Sequence, residues 1–278
     1  MVIRTAPSRL SLAAAGLLVS LVVAVGVSAC GGDGAPATSA AQNRPQALTQ
    51  HQRAVLTNAA ERVSTRASRE ARILVLPDRG NPVLWLRKGK QTEIRTGPGG
   101  GEVLRTVGRQ TEFGSLRVFS VVRTVSGWAG VPTPIAKNGV LGWVKLDPGV
   151  MKAGSLPNEV VVDLSAFRAE LLHGQKVVRS FPITIGAPGS PTPTGRFAVT
   201  DTFRGGLDPA AYGCCALALS AIQPALPSGW LGGNRIAIHG TTGPLSVAAS
   251  HGCVRVANDD ASFLVAKAPP GTPVIIHE

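Results

Sequence analysis

Residues 236–256 read IAIHGTTGPLSVAASHGCVRV, two His-Gly pairs and one cysteine in an otherwise small and apolar stretch. Three chemistries ask for those residue types: a nucleophilic thiol with an imidazole base, a zinc site, or a glycine-rich turn in which His and Cys only pack. The surrounding chain has to separate them.

Working outward, residues 257–268, ANDDASFLVAKA, predict one short helix that Asn258 or Asp259 would cap. TPVIIHE at the end of the chain predicts a strand. On the other side, NEVVVDLSAFRAELLHGQKVVRSFPITIG from residue 158 predicts two or three strands joined by turns at 165–167 and 173–175. GAPGSPTPTGRFAVTDTF then gives a Pro/Gly loop feeding another strand. Few aromatics (4%), with Gly 33 and Pro 21, favour short strands and many turns over helix bundles. The expected fold class is therefore mainly β.

Further upstream the same punctuation continues. ILVLP, VLWLRKG, GEVLRTVG, SLRVFSVVRTVSGWAGV and NGVLGWVKL are β-like runs separated by Gly, Pro and Asn. EIRTGPGGGEVL, GWAGV and GVLGWVKL resemble a bacterial SH3-like domain, which implies a small barrel over 73–150. Trp128 and Trp143 are expected in its core or rim. Gly97 to Gly101 is a turn and no phosphate loop, because no Gly-Lys-Ser/Thr follows. Before it, QHQRAVLTNAAERVSTRASREAR (50–72) lacks Gly and Pro and predicts a short basic helix within a tether at 30–72.

The first 29 residues resemble a bacterial lipoprotein signal peptide. Arg4 and Arg9 precede the uncharged run LSLAAAGLLVSLVVAVGV, and VSAC closes it at Cys30. The resemblance implies lipidation of Cys30, an exported protein anchored to the cell membrane, and a flexible start in GGDGAPATSAAQ. The other reading of the run is a single uncleaved membrane anchor. Under both readings the chain after Cys30 is exported. The excess positive charge, +12 in all, lies mainly in residues 30–150, with 17 Lys+Arg against 8 Asp+Glu. Outside a membrane such a surface suits anionic envelope polymers, and nucleic acid is not an expected partner.

Cysteine usage then sharpens the opening question. An exported chain often pairs its cysteines, but the adjacent Cys214 and Cys215 can pair with each other only through a strained ring. That leaves Cys253 unpaired, a liability unless its reactivity is used. The ordered set VDLS, SPTPTGRF, IAIHG, SHGCVRV and TPVIIHE resembles the catalytic domain of L,D-transpeptidases, cysteine enzymes that cross-link bacterial peptidoglycan. The resemblance covers 156–278 and implies a β-sandwich with one short helix and no metal or cofactor. Peptidoglycan stem peptides would be donor and acceptor, and a monomer is expected. Cys253 would be the nucleophile, His239 the acceptor of its proton, and His251 a residue that shapes or polarises the site. Gly240, Ser250, Gly252, Arg255 and Tyr212 would bind substrate or shape the site.

The residues support that reading on their own chemistry. A free thiol is mostly protonated at neutral pH and needs a base or a positive charge beside it. If the strand is extended, residues 251, 253 and 255 share a face. Gly252 would leave the backbone N–H groups near Cys253 open to an oxyanion. Arg255 would hold a carboxylate in a fork of hydrogen bonds, or else pair with Asp259 or Asp260 as scaffold. Two departures from the family pattern stand out: only eleven positions separate His239 from Ser250, and the vicinal cysteines fall where the family carries a lid. Two other functions remain open. One is a noncatalytic envelope-binding lipoprotein. The other is an L,D-carboxypeptidase that hydrolyses the same acyl-enzyme. A zinc site on His239, His251 and Cys253 has valid ligand types but none of the familiar spacings.

Overall fold

A computed structural model describes residues 49–70, 74–230 and 233–278. The expected signal peptide, Cys30 and residues 31–48 and 71–72 of the tether lie outside the described residues. Helix α1, Gln50–Glu70, opens on a capping box, as the Thr49-x-x-Gln52 spacing dictates. The Gln52 N–H donates to Thr49 Oγ1 at 3.2 Å, and the Thr49 N–H donates back to Gln52 Oε1 at 3.0 Å.

Two small antiparallel sheets come next in the chain. One has the order β4-β1-β8, with β1 Asn81–Leu86, β4 Val118–Ser120 and β8 Met151–Leu156. The other has the order β3-β2-β7-β6-β5, built from β2 Thr92–Arg95, β3 Val103–Val107, β5 Arg123–Val125, β6 Trp128–Pro132 and β7 Leu141–Lys145. Leu84, Leu86, Ile94, Val131, Val144 and Met151 make their common core. Residues 74–77 of the expected run ILVLP form no strand; Leu74 and Leu76 instead pack partly buried against that core. Trp143 is buried, whereas Trp128 is half-buried at a surface groove. Residues 151–156 continue the first sheet, so only Pro157 separates it from the next strand.

The second part is one eight-stranded sheet of order β11-β10-β9-β18-β13-β14-β15-β17. Its strands are β9 Asn158–Asp163, β10 Arg168–His173, β11 Lys176–Pro182, β13 Gly195–Phe203, β14 Ala216–Ile222, β15 Arg235–Thr241, β17 Val254–Ala257 and β18 Pro273–His277. A short parallel pair, β12 Ile185–Gly186 and β16 Ala248–Ser250, lies beside it. Register shifts interrupt the β13/β14 and β14/β15 ladders, and such irregularities bend a strand. Residues from opposite ends of the strand order, such as Leu171 and Phe181 with Ile238 and Val254, accordingly share one core. Helix α3, Asn258–Lys267, adds Ala261, Leu264 and Val265 to it.

Two expectations need correcting. The region holds a second helix, the single turn α2, Pro209–Tyr212, which Asp208 caps by accepting the Ala210 N–H at 3.0 Å. The N-cap of α3 is Ala257, with no side-chain cap, because the Asn258 carboxamide is committed elsewhere. Its Oδ1 accepts the Cys214 N–H at 3.0 Å and so ties the segment after α2 to the start of α3.

The two parts meet at the end of β14, the start of β15 and the last residues of β13. Asn138 bonds the Ile222 backbone like a strand partner, accepting its N–H at 3.0 Å and donating to its carbonyl at 2.6 Å. Arg235 pairs with Glu112, and Phe113 meets Phe203 edge-on at 5.4 Å. Thr111 donates to Asp201, which is fully buried.

Candidate active site

Strand β15 is the spine of the site. Residues 236–240 are all buried, and His239 stands in register with Ala216 on β14 and Arg255 on β17. This pairing, which no local spacing reveals, brings His239 and Arg255 side by side. A cavity of about 210 Å³ opens there, lined by Tyr212, His239, His251, Cys253 and Arg255 together with Gln223, Trp230 and Arg235.

The histidine is only 3% exposed. Its Nδ1 lies 2.9 Å from the Gly240 carbonyl. A carbonyl only accepts, so Nδ1 carries the proton and Nε2 of the neutral ring keeps a lone pair. The Tyr212 ring abuts the imidazole edge-on at 5.2 Å. Burial pushes the imidazole below the ordinary histidine range, and the Arg255 charge acts in the same direction; the Gly240 and Tyr212 carbonyls oppose this without prevailing.

Cys253 is the free thiol among the described residues, since Cys214 and Cys215 are bonded to each other. Burial pushes its thiol up, against the opposing pull of the Ala237 N–H and the Arg255 charge. Thiol and imidazole are therefore both neutral near pH 7, and charge appears only when the proton moves.

The premise of an extended strand fails at Gly252, whose φ is +108°. His251 and Cys253 reach the same cavity through a turn, with His251 exposed and its ring tilted against Trp230, centroids 4.9 Å apart. A Cβ on Gly252 would lie 2.1 Å from Gln223 Nε2, so only glycine fits. Gly240 is likewise confined: a Cβ there would lie 2.3 Å from Asn258 Oδ1. Ser250 is buried behind the cavity, where its Oγ bonds the Cys253 carbonyl at 2.6 Å. Gly240, Ser250 and Gly252 thus support the site from behind and do not face the cavity.

Arg255 makes no ion pair with Asp259 or Asp260. Asp260 pairs with Arg179 at 2.6 Å. The Arg255 Nε is buried without a hydrogen-bond partner, while its backbone is fixed by reciprocal bonds to Thr184 at 2.8 and 2.9 Å. A buried unpaired donor beside a thiol is suited to an anionic ligand. No group of three or more His, Cys, Asp or Glu able to hold a metal occurs among the described residues.

Sequence reasoning missed Gln223, Trp230 and Arg235. Nothing in QPALPSGW or NRIAIHG signals them, because their roles arise from how the β14–β15 connection folds back over residues 251–253.

Residues 157–276 match the YkuD family, described as the L,D-transpeptidase catalytic domain. YkuD of Bacillus subtilis (strain 168) is 30% identical over 132 residues, spanning 47% of this chain and 72% of that protein. YbiS of Escherichia coli (strain K12) is 29% identical over 161 residues, 52% of each protein. The chain thus spans about half the length of YbiS. Among solved structures, L,D-transpeptidase 3 from Mycobacterium tuberculosis aligns at 17% identity over 50% of this chain and 74% of that one, with a TM-score of 0.37. This protein belongs to the YkuD family of L,D-transpeptidases.

Proposed function

We propose that this chain is a cell-wall L,D-transpeptidase working through a thioester on Cys253. The observation that carries the reading is the shared cavity of a free, half-buried thiol, a neutral imidazole with Nε2 unprotonated, and a guanidinium with an unpaired buried Nε. His239 Nε2 takes the thiol proton as Sγ attacks the carbonyl carbon of a donor stem peptide. The tetrahedral oxyanion collapses, the C–N bond breaks, and the imidazolium returns the proton to the departing amine of the terminal D-amino acid. An amine of a neighbouring stem then attacks the thioester, and its proton passes through His239 back to sulfur. Arg255 holds a substrate carboxylate, and Tyr212 and Trp230 form the walls.

The deciding experiment is intact-mass analysis after exposure to a stem tetrapeptide or a carbapenem. A covalent adduct on Cys253, absent in Cys253→Ala, is expected; an unmodified wild-type protein would remove the acyl-enzyme reading. Export and membrane anchoring through lipid on Cys30 belong to the same proposal, with the SH3-like sheets facing the envelope. Unchanged mature lipoprotein in Cys30→Ala would exclude the anchor.

A further inference from the structure

Three consecutive backbone carbonyls around the nucleophile are each held by a side chain from a different segment. The His251 carbonyl accepts from Gln223 Nε2 at 3.1 Å. The Gly252 carbonyl accepts from Thr192 Oγ1 at 2.9 Å. The Cys253 carbonyl accepts from Ser250 Oγ at 2.6 Å. These donors are themselves fixed. Gln223 is 4% exposed, spends its second N–H on the Pro191 carbonyl at 2.9 Å, and accepts the Ala225 N–H at 3.0 Å. Thr192 is 5% exposed and accepts the Gly186 N–H at 2.8 Å. Ser250 Oγ also accepts the Gly252 N–H at 3.1 Å.

A trans peptide is planar, with its C=O and N–H pointing in opposite directions. Holding the Gly252 carbonyl in the interior through Thr192 therefore turns the Cys253 N–H the other way. Holding the His251 carbonyl through Gln223 sets the peptide before it, and the positive φ of Gly252 lets both orientations coexist. An oxyanion hole requires a donor fixed before charge develops, since a donor that must reorient contributes less to the transition state.

We infer that Thr192 and Gln223 are positioning residues that fix the Cys253 N–H as the oxyanion donor of the acylation step. Neither touches the reacting atoms. This inference rests on the acyl-enzyme reading and extends it to residues that sequence motif reasoning treats as loop. Gln223 also links two walls of the cavity, because its own N–H bonds the Asn234 carbonyl at 2.7 Å and the loop carrying Trp230 leaves from it.

The test separates chemistry that develops an oxyanion from chemistry that does not. Thr192→Val and Gln223→Leu keep shape and remove the donor; Thr192→Ser restores the hydroxyl. For each purified full-length variant, two second-order rates at Cys253 are measured by mass spectrometry: acylation by a carbapenem, which needs an oxyanion donor, and alkylation by iodoacetamide, which does not. The expected result is acylation slowed about ten- to hundredfold in both variants, somewhat less than outright loss of a donor. Alkylation should stay within about twofold, and Thr192→Ser should recover most of the acylation rate. Acylation and alkylation falling together, or neither falling, overturns the inference. A variant that does not fold leaves the other one and Thr192→Ser to decide, each on its own ratio of rates. A wild-type protein that alkylates but never acylates instead refutes the proposed function.

Discussion

Replacing Gly252 by alanine tests how tightly the turn before Cys253 is built. At φ +108° a side chain is strained by about 1–3 kcal/mol wherever it is placed. The new Cβ would also lie 2.1 Å from Gln223 Nε2 and 3.0 Å from Ile236 Cδ1. The glutamine has to leave, and its bonds to Pro191, His251 and Ala225 are each worth about 0.5–1.5 kcal/mol net. Set against this, Gly→Ala lowers the entropy of the unfolded chain by a stabilising ~0.4–1 kcal/mol. The balance is a loss centred on about 4 kcal/mol, which for a region of this size lowers Tm by roughly 10 °C. Thermal unfolding followed by near-UV circular dichroism measures it, with Gly189→Ala as control because a Cβ there meets nothing within 4 Å. The clash also predicts non-additivity: in a Gln223→Ala background the same change should cost clearly less than alone. A fall in Tm of under about 3 °C, or strict additivity in the double mutant, would refute the reasoning.

Four further outcomes arise from the charges of the site. His239→Gln should slow carbapenem acylation by about 10², the usual effect of losing a positioned base. Partial recovery should continue as pH rises past 9, since burial holds the thiol up; recovery in His251→Gln and none in His239→Gln would reverse the two roles. Iodoacetamide labelling of wild-type Cys253 should be slow at pH 7 and climb above the ordinary thiol range, and a plateau of full reactivity by pH 7 would contradict the buried neutral thiol. Both shifts also bear on folding. A lowered His239 means stability is lost as pH falls through and below the ordinary imidazole value near 6.5, and a raised Cys253 means it is lost as pH rises above the ordinary thiol value near 8.5. Denaturant unfolding from pH 5 to 10 should therefore show a maximum between these limits, which His239→Gln flattens on the acid side. Finally, Arg235→Leu removes bonds from Nη1 to Thr200 Oγ1 at 2.8 Å and to the Leu219 carbonyl at 3.0 Å, as well as the pairing with Glu112. It should cost about 2–4 kcal/mol in chemical denaturation. Glu112→Gln, whose carboxylate is half exposed, should cost under about 1 kcal/mol, and equal losses would mean the ion pair is the larger part.

The sequence by itself determined the class of the protein and the residue types gathered at its candidate site. Short β runs between Gly and Pro, and the SHGC stretch with an upstream His-Gly, are local signals: they depend on turn chemistry and on residue types that only a few reactions need. The strands around His239 and Cys253 and the turns at 165–167 and 173–175 were legible for that reason. What stayed hidden depends on contacts between distant segments. Alternation along a strand placed residues 251 and 253 on one face, but a single glycine at φ +108° breaks the alternation, and the cavity is shared through a turn instead. The cap predicted for α3 lost its Asn258 to the Cys214 N–H, a partner 44 residues away. Arg255 shows no bond to the nearby Asp259 or Asp260, and the side of it that matters faces His239 across a parallel ladder. Gln223 carries no motif, and the SPTPTGRF run that holds Thr192 does not reveal its role, because the work of both is done on backbone carbonyls, which every residue has; only the folded chain decides whose carbonyl they reach.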